Sequence, residues 1–262
     1  MSVLSENMKE AIIDAELVFV GIGSEMQVKL GTLKEIPNFA EKLGFLETHE
    51  EWNWLIPFLI RYYLAEEFHP EICQAYRKLA ELLEGKNYFI ISLSTDDLLR
   101  KTALKQDRIA YPCGTYEKLQ CIENCENMLY EIDETFWKSV TDWIEGTDDI
   151  SRIKKPICPY CGKELVLNQY GQPVYNEDGY LDQWKLYTQW LQGTVNKKLC
   201  IVELGVGMEF PSIIRWPMEK VCFYNKKSKF FRVHSTLYQL SEEIQERGIS
   251  VKENPINFLS DL

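Results

Sequence analysis

No run of about eighteen apolar residues occurs in the 262-residue sequence, so no segment has the length and character of a bilayer-spanning helix. The first residues carry no basic-then-apolar pattern of the kind that directs secretion. Extended basic patches are missing as well; Lys226-Lys227-Ser228-Lys229 is short and reads as a solvated loop. With a net charge of −11, the composition argues against nucleic acid and anionic membranes as main partners. Internal repeats and low-complexity stretches are also lacking, which sets aside repeat architectures. What is present is a chain long enough for one large α/β domain, or for a domain with a sizeable insert. Its 45% of hydrophobic residues suffices for a packed core. Eight cysteines without a secretion signal point to reduced thiols in a cytoplasm.

The stretch Leu17-Val18-Phe19-Val20-Gly21-Ile22-Gly23-Ser24 predicts a buried central strand running into a tight turn. Glycines there let a backbone come close to a phosphate, and a following helix offers free N–H groups to it. On its own the pair of glycines merely ends a strand. Before it, Ser5 is expected to cap a helix with Met8, Ala11 and Ile12 on its apolar side. The aromatic run from Trp52 to Tyr63 has helical spacing and suits a core-facing helix. Pro70 opens a helix with Ile72, Ala75, Tyr76, Leu79 and Leu83 in a 3.6-residue stripe, ended by Gly85. Tyr88 to Leu93 is a second buried strand, with Ser94-Thr95-Asp96-Asp97 at its end. Small polar residues at that end suit ligand binding in an open α/β sheet, and they equally suit a helix cap.

Leu199 to Leu204 predicts a third strand, breaking into Gly205-Val206-Gly207 and then a short helix near Ile213-Ile214. A second strand-to-Gly-x-Gly turn strengthens the first. Lys220 to Asn225 reads as a fourth strand ending on a polar residue, and Phe230 to Val233 as a fifth. Ser235 or Thr236 is expected to cap a last helix through Leu237, Leu240 and Ile244, ended by Gly248.

Two short-spaced cysteine pairs, Cys121/Cys125 and Cys158/Cys161, lie on either side of a long segment. Four thiolates at such spacing can hold a structural zinc ion, and Gly162 suits the turn after the second pair. Free thiols are the other reading. Between the pairs, Met128, Ile132, Phe136, Val140 and Ile144 predict an amphipathic helix. Cys73, Cys200 and Cys222 sit in apolar elements as core residues.

The order of these segments resembles the sirtuins, a family of NAD-dependent protein deacylases and ADP-ribosyltransferases. Gly21-Ile22-Gly23-Ser24 looks like the family's Gly-Ala-Gly-x-Ser loop over the NAD phosphates. Ser92-Leu93-Ser94-Thr95-Asp96-Asp97-Leu98 stands where the family has Thr-Gln-Asn-x-Asp-Gly-Leu. Ala110-Tyr111-Pro112-Cys113-Gly114 falls at its Glu-Leu-His-Gly, just before the first zinc cysteine. Pro156 to Leu165 is similar to its second zinc pair. Gly205 to Pro211 looks like its Gly-Thr-Ser-Leu-x-Val-x-Pro, and Asn225 falls at its strand-end Asn beside the adenine ribose. The resemblance implies a doubly wound, mostly parallel Rossmann-like α/β sheet over residues 1–120 and 166–262. It implies a small zinc module inserted at 121–165. Its cofactors would be NAD and zinc, with Gly21, Gly23, Ser24, Gly205, Gly207 and Asn225 on the dinucleotide. A modified protein would be the other substrate.

The departures bear on chemistry. Ser94 replaces the family's Asn, which orders water and ribose near the nicotinamide. Cys113 replaces the His that acts as a base toward the ribose hydroxyls. A neutral thiol, with an ordinary pKa of about 8.5, is a poor base at pH 7. The stretch Glu35-Ile36-Pro37-Asn38-Phe39-Ala40 lacks the family's Arg, and no Val-x-Phe-Gly strand is visible after Leu165. Two functions follow. One is ADP-ribosyl transfer or deacylation, with Cys113, Asp96 and Ser94 in altered roles. The alternative is a non-catalytic NAD or ADP-ribose binding protein acting in a complex, with Cys113 an inert strand-end residue.

Overall fold

The computed structural model describes residues 3–262. Helix α1 (Val3–Asp14) leads into β1 (Leu17–Ile22), all six of whose residues are buried. Ser5 is buried within α1 and is not at a cap position. After a single 3-10 turn at Ser24–Met26 come α2 (Leu30–Leu33) and α3 (Pro37–Thr48). The aromatic run divides into a 3-10 segment, Glu50–Leu55, and α4 (Ile56–Tyr63). Pro57 explains the division, because a proline fits the first turn of a helix but interrupts one running through it.

Helix α5 (Pro70–Leu83) stops before Gly85, which has a φ of +71°, and feeds β2 (Asn87–Ser92). Then follow β3 (Ile109–Ala110), β4 (Gly114–Cys121), β5 (Leu129–Glu131), α6 (Glu134–Glu145) and β6 (Leu165–Gln169). The chain closes with α7 (Leu181–Gln192), β7 (Leu199–Leu204), α8 (Arg215–Tyr224), β8 (Ser228–Val233), β9 (Gly248–Val251) and α9 (Pro255–Ser260).

Six strands form one sheet in the order β3-β2-β1-β7-β8-β9, and every neighbouring pair is parallel. The doubly wound α/β expectation is met, with β1 in the middle. Alternation along β1 sends Val18, Val20 and Ile22 to one face and Leu17 and Phe19 to the other. The first face packs on Met8, Ile12, Tyr76, Leu79 and Phe258 of α1, α5 and α9. The second packs on Tyr187 and Trp190 of α7 and on Met218 and Cys222 of α8. Both faces are covered, as a parallel sheet requires. Cys73, Cys200 and Cys222 are core residues, as expected.

Two expectations about the C-terminal third are overturned. Lys220 to Tyr224 belongs to α8 and is not a strand. An apolar run of that length fits either period. The helix buries Met218 and Cys222, four residues apart, and leaves Phe223 and Tyr224 exposed. The last helix is also replaced: past Val233 the chain makes a loop, a 3-10 segment at Glu242–Arg247, then β9. Gly248 begins that strand and pairs with Phe230.

A second, antiparallel sheet has the order β5-β4-β6. Leu119 and Leu167 from it share a core with Val140, Trp143 and Ile144 of α6 and with Phe39, Leu43, Phe58 and Leu59 of α3 and α4. Helix α6 begins after Asp133, whose carboxylate accepts the Phe136 N–H at 2.8 Å. Met128 and Ile132 fall outside it. No helix among the described residues is long and apolar enough to cross a membrane.

Candidate functional site

Connections from β1 run one way across the sheet and those from β7 run the other, so the gap between these strands is the switch point where such sheets bind ligands. Both glycine turns stand there, pressed into each other. The Gly23 N–H donates to the Leu204 carbonyl at 2.9 Å. A Cβ on Gly23 would overlap the Gly205 carbonyl oxygen and the Val206 Cα. Gly205 has a φ of +64°, and a Cβ there would strike Glu25. Gly21 does a different job. It lies inside β1, where a Cβ would overlap Ile214 and Met218, so its absent side chain admits α8 to the sheet. Gly207 is crowded by the Glu209 carboxylate, which accepts the Ser24 hydroxyl at 3.1 Å.

From β2 come Ser94 and Asp96, both buried. The Asp96 carboxylate accepts the N–H of Val28 at 2.9 Å and of Leu98 at 3.2 Å. Tyr76 donates to the Met26 carbonyl at 2.9 Å. The Val28 bond ties the segment after the first glycine turn to the end of β2, and the Tyr76 bond ties it to α5. Burial raises the Asp96 carboxyl above its ordinary range, against the two N–H bonds. Asp97 stands at φ 60°, a left-handed conformation that few side chains adopt, where the resembled motif has Gly. It accepts the Tyr116 N–H at 2.9 Å and lies 3.2 Å from Arg100 Nε. Burial and the nearby Glu117 push its carboxyl up to about 7.

Cys113 follows β3 and is 6% exposed; burial pushes its thiol up to about 11. It stays neutral at pH 7. Tyr170 donates its N–H to the Cys113 carbonyl at 2.9 Å. Pro112, Tyr170, Tyr175, Glu177, Tyr180 and Ile213 line a groove of about 460 Å³ beside it.

Asn225 is not at this end of the sheet. It ends α8, and its amide donates to the Thr194 and Lys197 carbonyls at 3.0 Å, where strands begin. The strand-end position on β8 belongs to His234. Its Nδ1 accepts the N–H groups of Thr236 and Leu237 at 3.1 and 3.0 Å. That nitrogen therefore carries no proton, and the Glu25 carboxylate 3.4 Å away is a neighbour and not a salt-bridge partner. Burial lowers the His234 pKa. The second Glu25 oxygen accepts the Ser235 N–H at 3.0 Å.

Sequence reasoning also missed a buried charge pair beneath the site. Arg232 of β8 bonds both oxygens of Glu203 of β7, at 2.5 and 3.1 Å. It also reaches Glu219 at 2.8 Å and the Gln239 carbonyl at 2.7 Å. Arg215 bridges the Val206 and Leu237 carbonyls at 2.8 Å each. The available signal was a lone Glu203 within the apolar run of β7 and an Arg232 after Phe230-Phe231 in β8.

The four cysteines expected to bind metal come together. The sulfurs of Cys121, Cys125, Cys158 and Cys161 all lie within 4.8 Å of one another. Cys121 and Cys161 are 3.5 Å apart, and Cys125 and Cys158 are 3.6 Å apart. Zinc–sulfur bonds of about 2.3 Å in a tetrahedron set sulfurs about 3.8 Å apart, so the cluster fits a structural zinc ion.

Comparison with solved structures decides the fold. Sir2Tm bound to a propionylated peptide superposes with a TM-score of 0.54 at 16% identity, over 98% of this chain and 95% of that one. A Sir2–p53 peptide–NAD+ complex gives 0.54 at 15% identity, over 100% and 97%. A mutant Sir2 homologue with ADP-ribose gives 0.55 at 12%, over 98% and 94%. The chain has the sirtuin fold. Among curated proteins, a protein ADP-ribosyltransferase of Staphylococcus aureus strain Mu50 is 23% identical over 95% of this chain and 84% of its own length. A probable bifunctional ADP-ribose hydrolase/ADP-ribosyltransferase of Fusarium oxysporum f. sp. cubense is 28% identical over 52% of this chain and 23% of its own length. No family model matches the chain. The chain is thus a divergent, sirtuin-like one.

Proposed function

We propose that this sirtuin-like chain binds NAD across the two glycine turns and transfers its ADP-ribosyl group to a protein acceptor. The fold and the two ADP-ribosyltransferase relatives support this reading. The observation that carries it is the state of Cys113. A deacylating sirtuin needs a base toward the ribose hydroxyls, and a buried thiol raised to about 11 is not one at pH 7. Direct attack by an acceptor at the ribose carbon does not need that base. NAD supplies the ADP-ribosyl group, with neutral nicotinamide as its leaving group.

Gly23, Ser24, Gly205 and Gly207 would face the dinucleotide. The Ser24 hydroxyl and Ser235 N–H, now held by Glu209 and Glu25, are donors a phosphate would otherwise use. Asp96 would position the loop over the site. The same reading makes 1–120 and 166–262 the NAD-binding part and 121–165 its zinc-held insert, which shares its core with β4, β6, α3 and α4. It also takes a reducing cytoplasm as the chain's setting, the compartment that suits eight free thiols.

Release of nicotinamide from labelled NAD, followed with and without protein acceptors, tests the reading. The expected result is release coupled to ADP-ribose on the acceptor, with little deacetylation of an acetyl-lysine peptide. Brisk deacetylation left intact by Cys113→Ala would overturn it. Tight NAD binding without turnover would instead favour a non-catalytic binding protein, the reading suited to Ser94 and Cys113 together. The double substitution Ser94→Asn, Cys113→His should then raise nicotinamide release.

A further inference from the structure

We propose that Glu177, oriented by Tyr180, is the general base that takes the proton from a hydroxyl acceptor, a role the neutral thiol of Cys113 does not fill. The proposal rests on ADP-ribosyl transfer as the reaction. Glu177 lines the groove of about 460 Å³ that opens beside Cys113. Two bonds tie the groove to that position: Tyr175 donates to the Pro112 carbonyl at 3.2 Å, and Tyr170 donates to the Cys113 carbonyl. On its other side the groove is lined by Ile213, which follows the β7 glycine turn in the chain. The Tyr170 ring packs edge-on against Phe210, three residues past Gly207, at 4.8 Å. An acceptor lying in the groove would sit between tyrosine walls next to the Cys113 position, with one carboxylate beside it.

The Tyr180 ring stacks on that of Tyr175, the residue bonded to the Pro112 carbonyl, with centroids 6.3 Å apart. Burial and Glu177 push its hydroxyl up to about 12, so it remains a donor, and it donates to Glu177 Oε1 at 3.1 Å. The backbone carrying Glu177 is held from both sides, although Glu177 itself is exposed. Gln120 donates to the Val174 carbonyl at 2.5 Å and accepts the Asn176 N–H at 3.0 Å. Asn168 donates to the Asn176 carbonyl at 2.8 Å and to Gln120 at 2.7 Å. All three amides are buried. A buried network spent on fixing a surface loop suits a side chain whose position matters to chemistry.

In the step itself, the Glu177 carboxylate takes the acceptor's hydroxyl proton as that oxygen bonds to the anomeric carbon of the ribose. The bond from that carbon to the pyridinium nitrogen breaks, and neutral nicotinamide leaves with the electron pair. A carboxylate acceptor has no proton to give at neutral pH and would be repelled by Glu177. Glu177 suits an acceptor that gives up a proton on attack, and the class we assign is an alcohol.

The test uses the full chain with NAD, water and methanol, reading nicotinamide and methyl ADP-riboside. Glu177→Gln should lower kcat roughly a hundredfold with the KM for NAD unchanged. Glu177→Ala should recover methyl ADP-riboside formation when sodium formate is added, and Tyr180→Phe should fall less and show no such rescue. A wild-type protein that turns over while Glu177→Gln stays within twofold of it overturns this proposal and leaves the transfer reading standing. Preference for acetate over methanol as acceptor overturns it too. A wild-type protein that releases no nicotinamide overturns the transfer reading, and this proposal with it.

Discussion

The Asp96 carboxylate accepts the backbone N–H of Val28 at 2.9 Å, so the end of β2 holds the chain that leaves the first glycine turn. Sixty-eight residues separate the two in sequence. Substituting Asp96→Ala would leave the N–H groups of Val28 and Leu98 without their acceptor, at a cost of about 1–3 kcal/mol. Amide exchange at Val28 should rise sharply while that of β1 stays slow. Unchanged exchange at Val28 would show that the carboxylate does not hold the loop.

Asp97 should make stability depend on pH. Its folded pKa, about 7, lies above the unfolded value of about 3.9, so the folded protein keeps a proton that the unfolded chain gives up. That contribution is complete below the unfolded pKa and is lost as pH rises through 7. Between pH 5 and 8 the loss is roughly 2–3 kcal/mol. Asn tolerates the left-handed backbone and still accepts the Tyr116 N–H, so Asp97→Asn should remove this dependence. Urea unfolding of both proteins at pH 5 and 8 measures it; parallel pH responses would refute the assignment.

Gly23 and Gly44 should respond oppositely to alanine. A methyl on Gly23 meets the backbone at Gly205 and Val206, which no rotamer change relieves. The cost is about 1–3 kcal/mol or more. Gly44 lies inside α3 with open space where its Cβ would be, and there alanine should add about 0.5–1 kcal/mol. Melting temperatures of the two variants decide the matter.

Protein prepared without chelator should carry about one zinc per chain. Chelation, or Cys158→Ser, should raise amide exchange in β4 and β6 while β1 and β7 remain protected. Loss of metal with no change in β4 would mean that the four thiols do not hold the small sheet.

Zinc retention and the glycine clash bear on features legible in the chain itself. Strands β1, β2 and β7 were readable because each is a short β-rich run closed by glycine or small polar residues. The cysteine spacing announced four converging thiols, and helix α5 its apolar stripe. These are local patterns, set by side-chain periodicity and backbone preference within a few residues. Other features needed the third dimension. Lys220 to Tyr224 fits both strand and helix, and packing of Met218 beneath Gly21, with Cys222 in the same core, chose the helix. That choice carried Asn225 to the far end of the sheet and left the β8 strand end to His234. The pairing of Glu203 with Arg232 depends on the register between β7 and β8, which places the two residues opposite each other. Likewise Glu177 shares a groove with Pro112, and Gln120 and Asn168, remote in sequence, bind its loop. The sequence by itself determined strands β1, β2 and β7, their glycine turns and the convergence of four thiols; tertiary structure alone decided which charged and polar side chains share the site, because their contacts span 29 residues for Glu203–Arg232 and 68 for Asp96–Val28.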